Sequence, residues 1–541
     1  MYINFSDIPG HHNLFLDYLY EFDNVKKYFS YDFREKENYL KVFKNISDSR
    51  QDISQQVSSI LSDQSSSFKN SDKTKNNIEQ LANKNTLAIV TGQQLGILGG
   101  PLYTFHKIIT AIKLSWQLAE RYDDYNFVPI FWLEGDDHDF NEVRSTQVID
   151  EANKLVKIGY GEEIDEEDAK QSVGLLELNE SINEFFNQLD ASLRDTEFKK
   201  SLVDNLKSYY AAGKSFKTSF KELIHSIFDE YGLVILDPQD KRLKELLKPV
   251  FKKEIAEFRN YTDKLVHTSA ELEEIYHAQV KVKPVNLFLN VDDARYSIEP
   301  VENQFRLKRK RKTFEREELL EIAETEPERF SPNVLLRPIC QDYLLPTAFY
   351  VAGPSEISYF AQVKPLYSFF NISPPIIYPR SSATYVENSI SKILDKYSIS
   401  IGDLFINVEN VKRSVIDSIT ETSLEDVFAD VSNEIELAFD RLKEKLFELD
   451  KQTADGSKKY RDKIINSLQE LRGKAENTQK KKYEVTLRQI DRAAINLYPN
   501  SNLQERELNF VNFTNKYGMD FINFIFDNLE INKFEHQVIE I

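Results

Sequence analysis

One cysteine, two methionines and two tryptophans are all that 541 residues hold of those types, and glycine is scarce at 16. The lone Cys340 excludes an internal disulfide and any thiolate cluster on a metal. No apolar run reaches the roughly 18 residues that a membrane-spanning helix needs. The N-terminus, Met1 to Asp7, lacks a basic segment followed by an apolar one, so no signal peptide is expected. Positive charge is in deficit: 69 Lys and Arg against 88 Asp and Glu leave a net charge of −19. That balance argues against nucleic acid and anionic membranes as partners, because both recruit Lys and Arg. The chain reads as a soluble cytoplasmic protein. At 41% hydrophobic and 12% aromatic residues it is globular, and it is long enough for more than one domain.

Four of the 16 glycines, Gly92, Gly96, Gly99 and Gly100, crowd into one stretch that ends at Pro101. An apolar run, Leu87 to Val90, precedes them and predicts a buried strand. A helical pattern follows, with Ile108, Ile109, Ile112, Trp116 and Leu118 on one broad face. A second apolar run, Phe127 to Leu133, then ends in the polar knot Glu134-Gly135-Asp136-Asp137-His138-Asp139. This is a βαβ unit with polar groups at both strand ends, and ligands of open α/β sheets bind at those ends. Neither GxxxxGK[ST] nor GxGxxG is present. Gly serves equally for close approach to a ligand and for a tight turn, so the spacing leaves both uses open.

The strand-to-helix theme recurs later. Tyr231 to Asp237 predicts a third strand. Ala348 to Ala352 predicts another, ending at Gly353-Pro354-Ser355-Glu356 before a helix from Ile357 to Phe370. Pro374 to Tyr378 leads to Arg380 and Ser381, and the planar fork of Arg380 suits either an anionic ligand or a structural ion pair. The segment before residue 85 and residues 170–228 carry helical periodicity, the latter as an insertion. The acidic run Glu162 to Asp168 reads as a solvated loop, and Lys308 to Lys312 as an exposed hairpin. From Val386 to Pro499 the chain is charged and poor in Pro and Gly. Phe428, Val431, Ile435, Ala438, Leu442 and Leu449 keep a heptad spacing, and Ile464, Leu468 and Leu471 follow a turn expected at Thr453 to Gly456. Two long helices of this kind predict an antiparallel coiled coil that needs a second copy.

Taken together, TGQQLGILGGPLYTFHK, VPIFWLEGDDHDFNEV, RPICQDYLLPTAFYVAGPSEISYFAQ, PRSSATYVE and YPNSNLQERELN resemble the motifs of the bacillithiol-biosynthesis cysteine-adding family, BshC. The resemblance spans nearly the whole chain. It implies an α/β fold: a Rossmann-like parallel-sheet core with helical insertions and a long antiparallel coiled-coil domain that forms a homodimer. The core would cover 1–385, with insertions at about 150–228 and 255–330. The coiled coil would cover 386–499, and helices at 500–541 would pack back on the core. The architecture implied is similar to class I aminoacyl-tRNA synthetases, but Gln93-Gln94-Leu95-Gly96 stands where those carry a His-containing turn.

The resemblance also implies an activity: a ligase that joins L-cysteine by an amide bond to the amino group of glucosaminyl-malate. An amide cannot form from a free carboxylate without activation, so ATP or a related nucleotide, with Mg, is expected as co-reactant. Thr91, Gly92, Gln93, Gln94, Gly96 and Gly100 would cradle phosphate or the malate carboxylate. Lys107 would neutralise developing charge. Asp136, His138 and Asp139 would hold the amine, or His138 would act as its base. Gln341, Asp342, Gly353, Ser355, Glu356, Arg380 and Ser381 would line the other half. No resident metal is expected, and Cys340, without a neighbouring base, reads as a buried packing residue. Two other classes stand beside this one: a different ATP-dependent ligase or nucleotidyltransferase on the same fold, and a non-catalytic dimeric scaffold.

Overall fold

A computed structural model describes residues 1–165, 171–419 and 424–541. Glu166, Glu167 and Asp168 of the acidic run lie outside the described residues. The chain forms two compact units. One joins Met1–Thr384 with Leu503–Ile539, the other Tyr385–Asn502 with Glu540–Ile541. Among the described residues, no helix is long and apolar enough to cross a membrane.

A five-stranded parallel sheet centres the first unit. Its elements are β1 (Thr86–Gln94), α1 (Tyr103–Arg121), β2 (Asn126–Glu134), β3 (Val234–Leu236), β4 (Thr347–Ala352), α2 (Pro354–Phe370) and β5 (Ile376–Pro379). The strand order is β5-β4-β1-β2-β3, with every pairing parallel. Such strands are covered on both faces, which is why they read as continuous apolar runs. The apolar run expected at Leu87 to Val90 extends to Gln94, because β1 pairs residue by residue with β2 as far as Gln94 opposite Glu134. From β1 the chain moves outward to β2 and β3, then returns to the other side of β1 for β4 and β5. The topological switch point therefore lies between β1 and β4, and ligands of open α/β sheets enter beyond the carboxyl ends there.

The glycine cluster after β1 folds on itself. Leu98, Gly99 and Gly100 all have positive φ. A Cβ on Gly96 would stand 2.6 Å from the Gly100 Cα, so the turn closes only with glycine at that position. Asn509 finishes it, donating to the carbonyls of Leu98 at 2.9 Å and Gly100 at 2.7 Å. Of the two uses left open by the spacing, Gly96 and Gly100 serve the tight turn.

A second, antiparallel sheet is built by Leu287–Val291, Ala294–Val301, Gln304–Leu307, Thr313–Phe314 and Phe330–Pro332. The basic run from Lys308 to Lys312 is the turn of one of its hairpins. The C-terminal segment carries helices Gln504–Glu507, Val511–Tyr517 and Asp520–Asn528. It then ends in a strand, His536–Glu540, rather than in helix alone.

The second unit is helical. Leu424–Phe447 and Lys451–Lys482 form a hairpin, followed by Glu484–Leu497. The turn lies before Lys451, not at Thr453 to Gly456. Asp450 starts the second helix by accepting the Thr453 N–H at 2.7 Å, and a good N-cap outweighs the roughly 1 kcal/mol that Gly456 costs inside a helix. The hairpin leaves an apolar row uncovered on each helix: Val431 is 37% and Leu442 46% exposed on the first, Ile464 44% and Leu471 56% on the second, each pair spaced to share a helix face.

Candidate active site

A cavity of about 520 Å³ opens at the switch point. β1 supplies Gly92, Gln93 and Gln94, β2 supplies Trp132 and Glu134, and the exit of β4 supplies Gly353, Ser355 and Glu356. Gly92 is required by close approach, since a Cβ there would meet the Trp132 carbonyl at 2.9 Å. The second sheet and its approach close one side with Lys281, Lys283, Phe288 and Arg295. Arg337, Arg380 and Arg506 complete a cationic wall. In a chain of net charge −19, seven Lys and Arg converge here against the carboxylates of Glu134, Asp137, Glu142 and Glu356. Such focusing selects an anionic ligand.

Lys107 projects from the second turn of α1. Its Nζ meets Glu356 at 2.6 Å, the Gly92 carbonyl, and Gln93 Oε1 at 3.1 Å. An ammonium has three N–H groups, and these contacts take all three. Burial holds Lys107 below the usual amine range against the pull of Glu356. Burial pushes Glu356 upward, but Lys107 and the Gly353 N–H at 2.8 Å outweigh it, and the carboxyl stays below its ordinary value. Lys107 thus ties α1, the end of β1 and the start of α2 together.

Glu134 is the opposite case. Burial lifts its carboxyl to about 7; Arg337 opposes, while Asp136 and Asp137 add to the rise. Its Oε2 has no hydrogen-bond partner among the described residues, and Arg337 Nε lies 3.6 Å away. Trp132 Nε1 and His138 Nδ1 are likewise buried without a hydrogen bond among the described residues. Buried polar atoms are rarely left unpaired. Three such atoms sit on cavity-lining residues of β2 and its exit, which leaves hydrogen-bonding capacity open at the cavity wall. Burial and the nearby Arg295 hold His138 below the usual imidazole range, so it is neutral at pH 7.

Nine of the expected residues line the cavity: Gly92, Gln93, Gln94, Lys107, His138, Gly353, Ser355, Glu356 and Arg380. Gln94 donates to Asp137 at 2.6 Å and to Glu142 at 2.8 Å, which engages both N–H groups of its amide. The other eight are not among the lining residues, and each has a local reason. Thr91 donates to the Val351 carbonyl at 3.0 Å and stitches β1 to β4. Gly96 and Gly100 form the closed turn. Asp136 turns away to Lys244 at 2.9 Å and Gln239 at 3.0 Å, a buried structural pair. Asp139 caps the short helix Phe140–Val143. Gln341 accepts from Arg337 and donates to Asp342. Asp342 also accepts from Tyr367, and burial lifts it to about 6. Ser381 donates to the Glu530 carbonyl at 3.2 Å. Cys340 is buried, and burial pushes its thiol far up, so it is no nucleophile.

Sequence reasoning does not assign Trp132, Glu134, Asp137, Arg295, Arg337 or Arg506 to the site. Trp132 and Glu134 alternate on one face of β2, the same parity that brings Gly92 and Gln94 to the cavity. That parity is a signal the sequence carries. Arg295 and Arg506 arrive from distant segments and carry no local signal.

Comparison with known proteins agrees over the whole length. Residues 1–381 match the model for the N-terminal Rossmann-like domain of bacillithiol biosynthesis BshC, and residues 383–541 match its C-terminal coiled-coil domain. A Salinibacter ruber protein named "Putative cysteine ligase BshC" is 33% identical, covering 97% of this chain and 96% of its own. One of the same name from Chloroherpeton thalassium is 34% identical over 88% and 87%. A solved Campylobacter jejuni chain titled as a putative arginyl-tRNA synthetase covers 81% of this chain and 92% of its own at 11% identity. Its TM-score of 0.22 carries no argument about the fold. The family models and the full-length relatives place this chain in the BshC family, with a Rossmann-like domain followed by a coiled-coil domain.

Proposed function

We propose that this protein is a ligase that forms a carbon–nitrogen bond, joining the carboxyl of L-cysteine to the amino group of glucosaminyl-malate. The observation that carries the reading is Glu134, a cavity carboxyl lifted to about 7, whose Oε2 has Arg337 at 3.6 Å but no hydrogen bond among the described residues. An acceptor amine must lose a proton to attack, and a base with a pKa near 7 suits that task. The malyl carboxylates need cations, and Arg337, Arg380 and Arg506 supply them. The relatives are named as cysteine ligases, in keeping with cysteine as the second substrate. A scaffold has no use for buried polar atoms left open at a cavity.

Activation of the cysteine carboxyl needs a co-reactant, and ATP with Mg is the one proposed. It would supply the energy of an activated carboxyl. The cationic wall suits phosphate oxygens as well as carboxylates, whereas the glycine turn, closed on itself, offers no cradle. Among the described residues, no group of three or more His, Cys, Asp or Glu is placed to hold a metal. Magnesium bound through nucleotide phosphates needs only one or two carboxylates.

The test is a mass-spectrometric assay of purified protein with L-cysteine, glucosaminyl-malate, ATP and Mg. Amide product that depends on protein and on ATP is expected. Product without ATP would discard the nucleotide; no product with any nucleotide would sink the ligase reading.

The uncovered apolar row on the helical hairpin fits a second copy of this chain. A homodimer is expected in solution by light scattering. The double substitution Leu442→Asp/Ile464→Asp should shift it to monomer, and a dimer that survives would place the interface elsewhere.

A further inference from the structure

The helix Gln504–Glu507 lies in the late motif YPNSNLQERELN, far in sequence from the strands that frame the cavity. Glu505 is fully buried and takes four donors. Oε1 receives Arg380 at 2.7 Å and the Ser382 hydroxyl at 2.8 Å. Oε2 receives His106 Nδ1 at 2.8 Å and the Ala383 N–H at 3.0 Å. An ionised carboxylate only accepts, so His106 Nδ1 carries the proton. A charge placed this deep is stable only with its partners in place, and removing one partner strands the other.

Arg380 is the partner that reaches the cavity. Its guanidinium lies over the Tyr103 ring at 5.3 Å and donates to the Ser381 carbonyl at 3.1 Å. Two of its five donors are thus fixed on the protein side. Across from its Nε stands Gly353, where a Cβ would come within 3.4 Å, so no side chain there covers that edge. The residue after Glu505 is Arg506, exposed, lining the same cavity, and without an ion-pair partner among the described residues. One short helix therefore holds one guanidinium in place and offers a second.

We propose that Glu505 is a positioning residue: it locks Arg380 so that the remaining donors, with Arg506 beside them, take a carboxylate of the anionic substrate. This rests on the reading of the cavity as the site for a malate-bearing amine.

L-Malate alone serves as probe, titrated calorimetrically into the full-length protein. Glu505→Gln should weaken malate binding by about tenfold or more, the scale of a lost charged hydrogen bond. In the ligase assay, KM for glucosaminyl-malate should rise in proportion while KM for L-cysteine stays within about twofold, a split that general loosening of the core would not give. In an Arg380→Gln background, Glu505→Gln should add no further loss, because it acts through Arg380. That double variant buries no lone charge, so it keeps the comparison open should Glu505→Gln alone fail to fold. A folded Glu505→Gln with wild-type malate affinity would overturn the proposal, and so would losses that multiply in the double variant. A wild-type protein that makes the amide but binds no malate would overturn it as well. Absence of product with malate binding intact would fault the ligase reading alone.

Discussion

Glu134→Gln should lower kcat by a factor on the order of 100 or more while making the protein more stable at pH 8, an unusual pairing of effects. A general base contributes about 10² to 10⁴ in rate, and the amide side chain cannot take a proton. In the wild type, log kcat/KM should climb with pH through about 7, where Glu134 ionises. The variant should lose that limb. His138, held below the ordinary imidazole range by burial and by Arg295, would place its limb on the acid side of that range, and it should survive the substitution. Stability runs the other way. The folded carboxyl is raised above its unfolded value by burial, against Arg337 and with Asp136 and Asp137. Its contribution is therefore fully present below the unfolded pKa and lost as pH rises through about 7. The loss is on the order of 3 kcal/mol for a rise of this size. Glu254, lifted to about 7 by burial, adds a second decline in the same window. The comparison that counts is thus the Glu134→Gln variant against wild type, by urea unfolding at pH 5 and pH 8. A variant less stable at both, with an unchanged pH limb, would remove Glu134 from the role of base.

The frame of the site is legible in the amino-acid sequence, and its lining only in part. Apolar runs stopped by polar residues identify β1, β2 and β4, because a parallel strand is buried on both faces and ends where it meets solvent or ligand. In the turn after β2, however, side-chain direction follows from where the chain goes next. By residue type Asp136 and Asp139 are as suitable as Glu134 and Asp137, yet Lys244 draws Asp136 inward and a helix end takes Asp139. Glycine spacing cannot separate ligand cradle from turn; contact between Gly96 and Gly100 decides it, and that contact appears only in three dimensions. Arg506 and Arg295 reach the cavity through packing between segments remote in sequence. In the hairpin the conspicuous Gly456 suggests the turn, but the N-cap at Asp450 sets it, and an Asp three residues ahead of a Thr is itself a local signal.

Lys107→Met should be the most destabilising single change at the cavity. The substitution fills nearly the same volume but leaves Glu356 buried with Tyr350 and the Gly353 N–H as its remaining partners and no cation bonded to it. Breaking a buried pair from one side typically costs about 3–5 kcal/mol. Lys107 also grips the Gly92 carbonyl and Gln93, so its loss loosens the end of β1 beside Trp132, and ligase activity should fall with stability. The double variant Lys107→Met/Glu356→Gln separates the two effects. With neither charge buried, most of the stability should return, as neutral replacements of buried pairs generally allow. Activity should not return, because the tie between α1, β1 and α2 is still missing. Urea midpoints and initial rates of amide formation for the three proteins decide the matter. If Lys107→Met alone unfolds like the wild type, the pair is not the keystone its geometry describes. If instead the double variant regains both stability and rate, Lys107 and Glu356 hold only each other, and the ordering of the cavity lies in Arg337, which donates to the hydroxyls of Tyr350 and Tyr359.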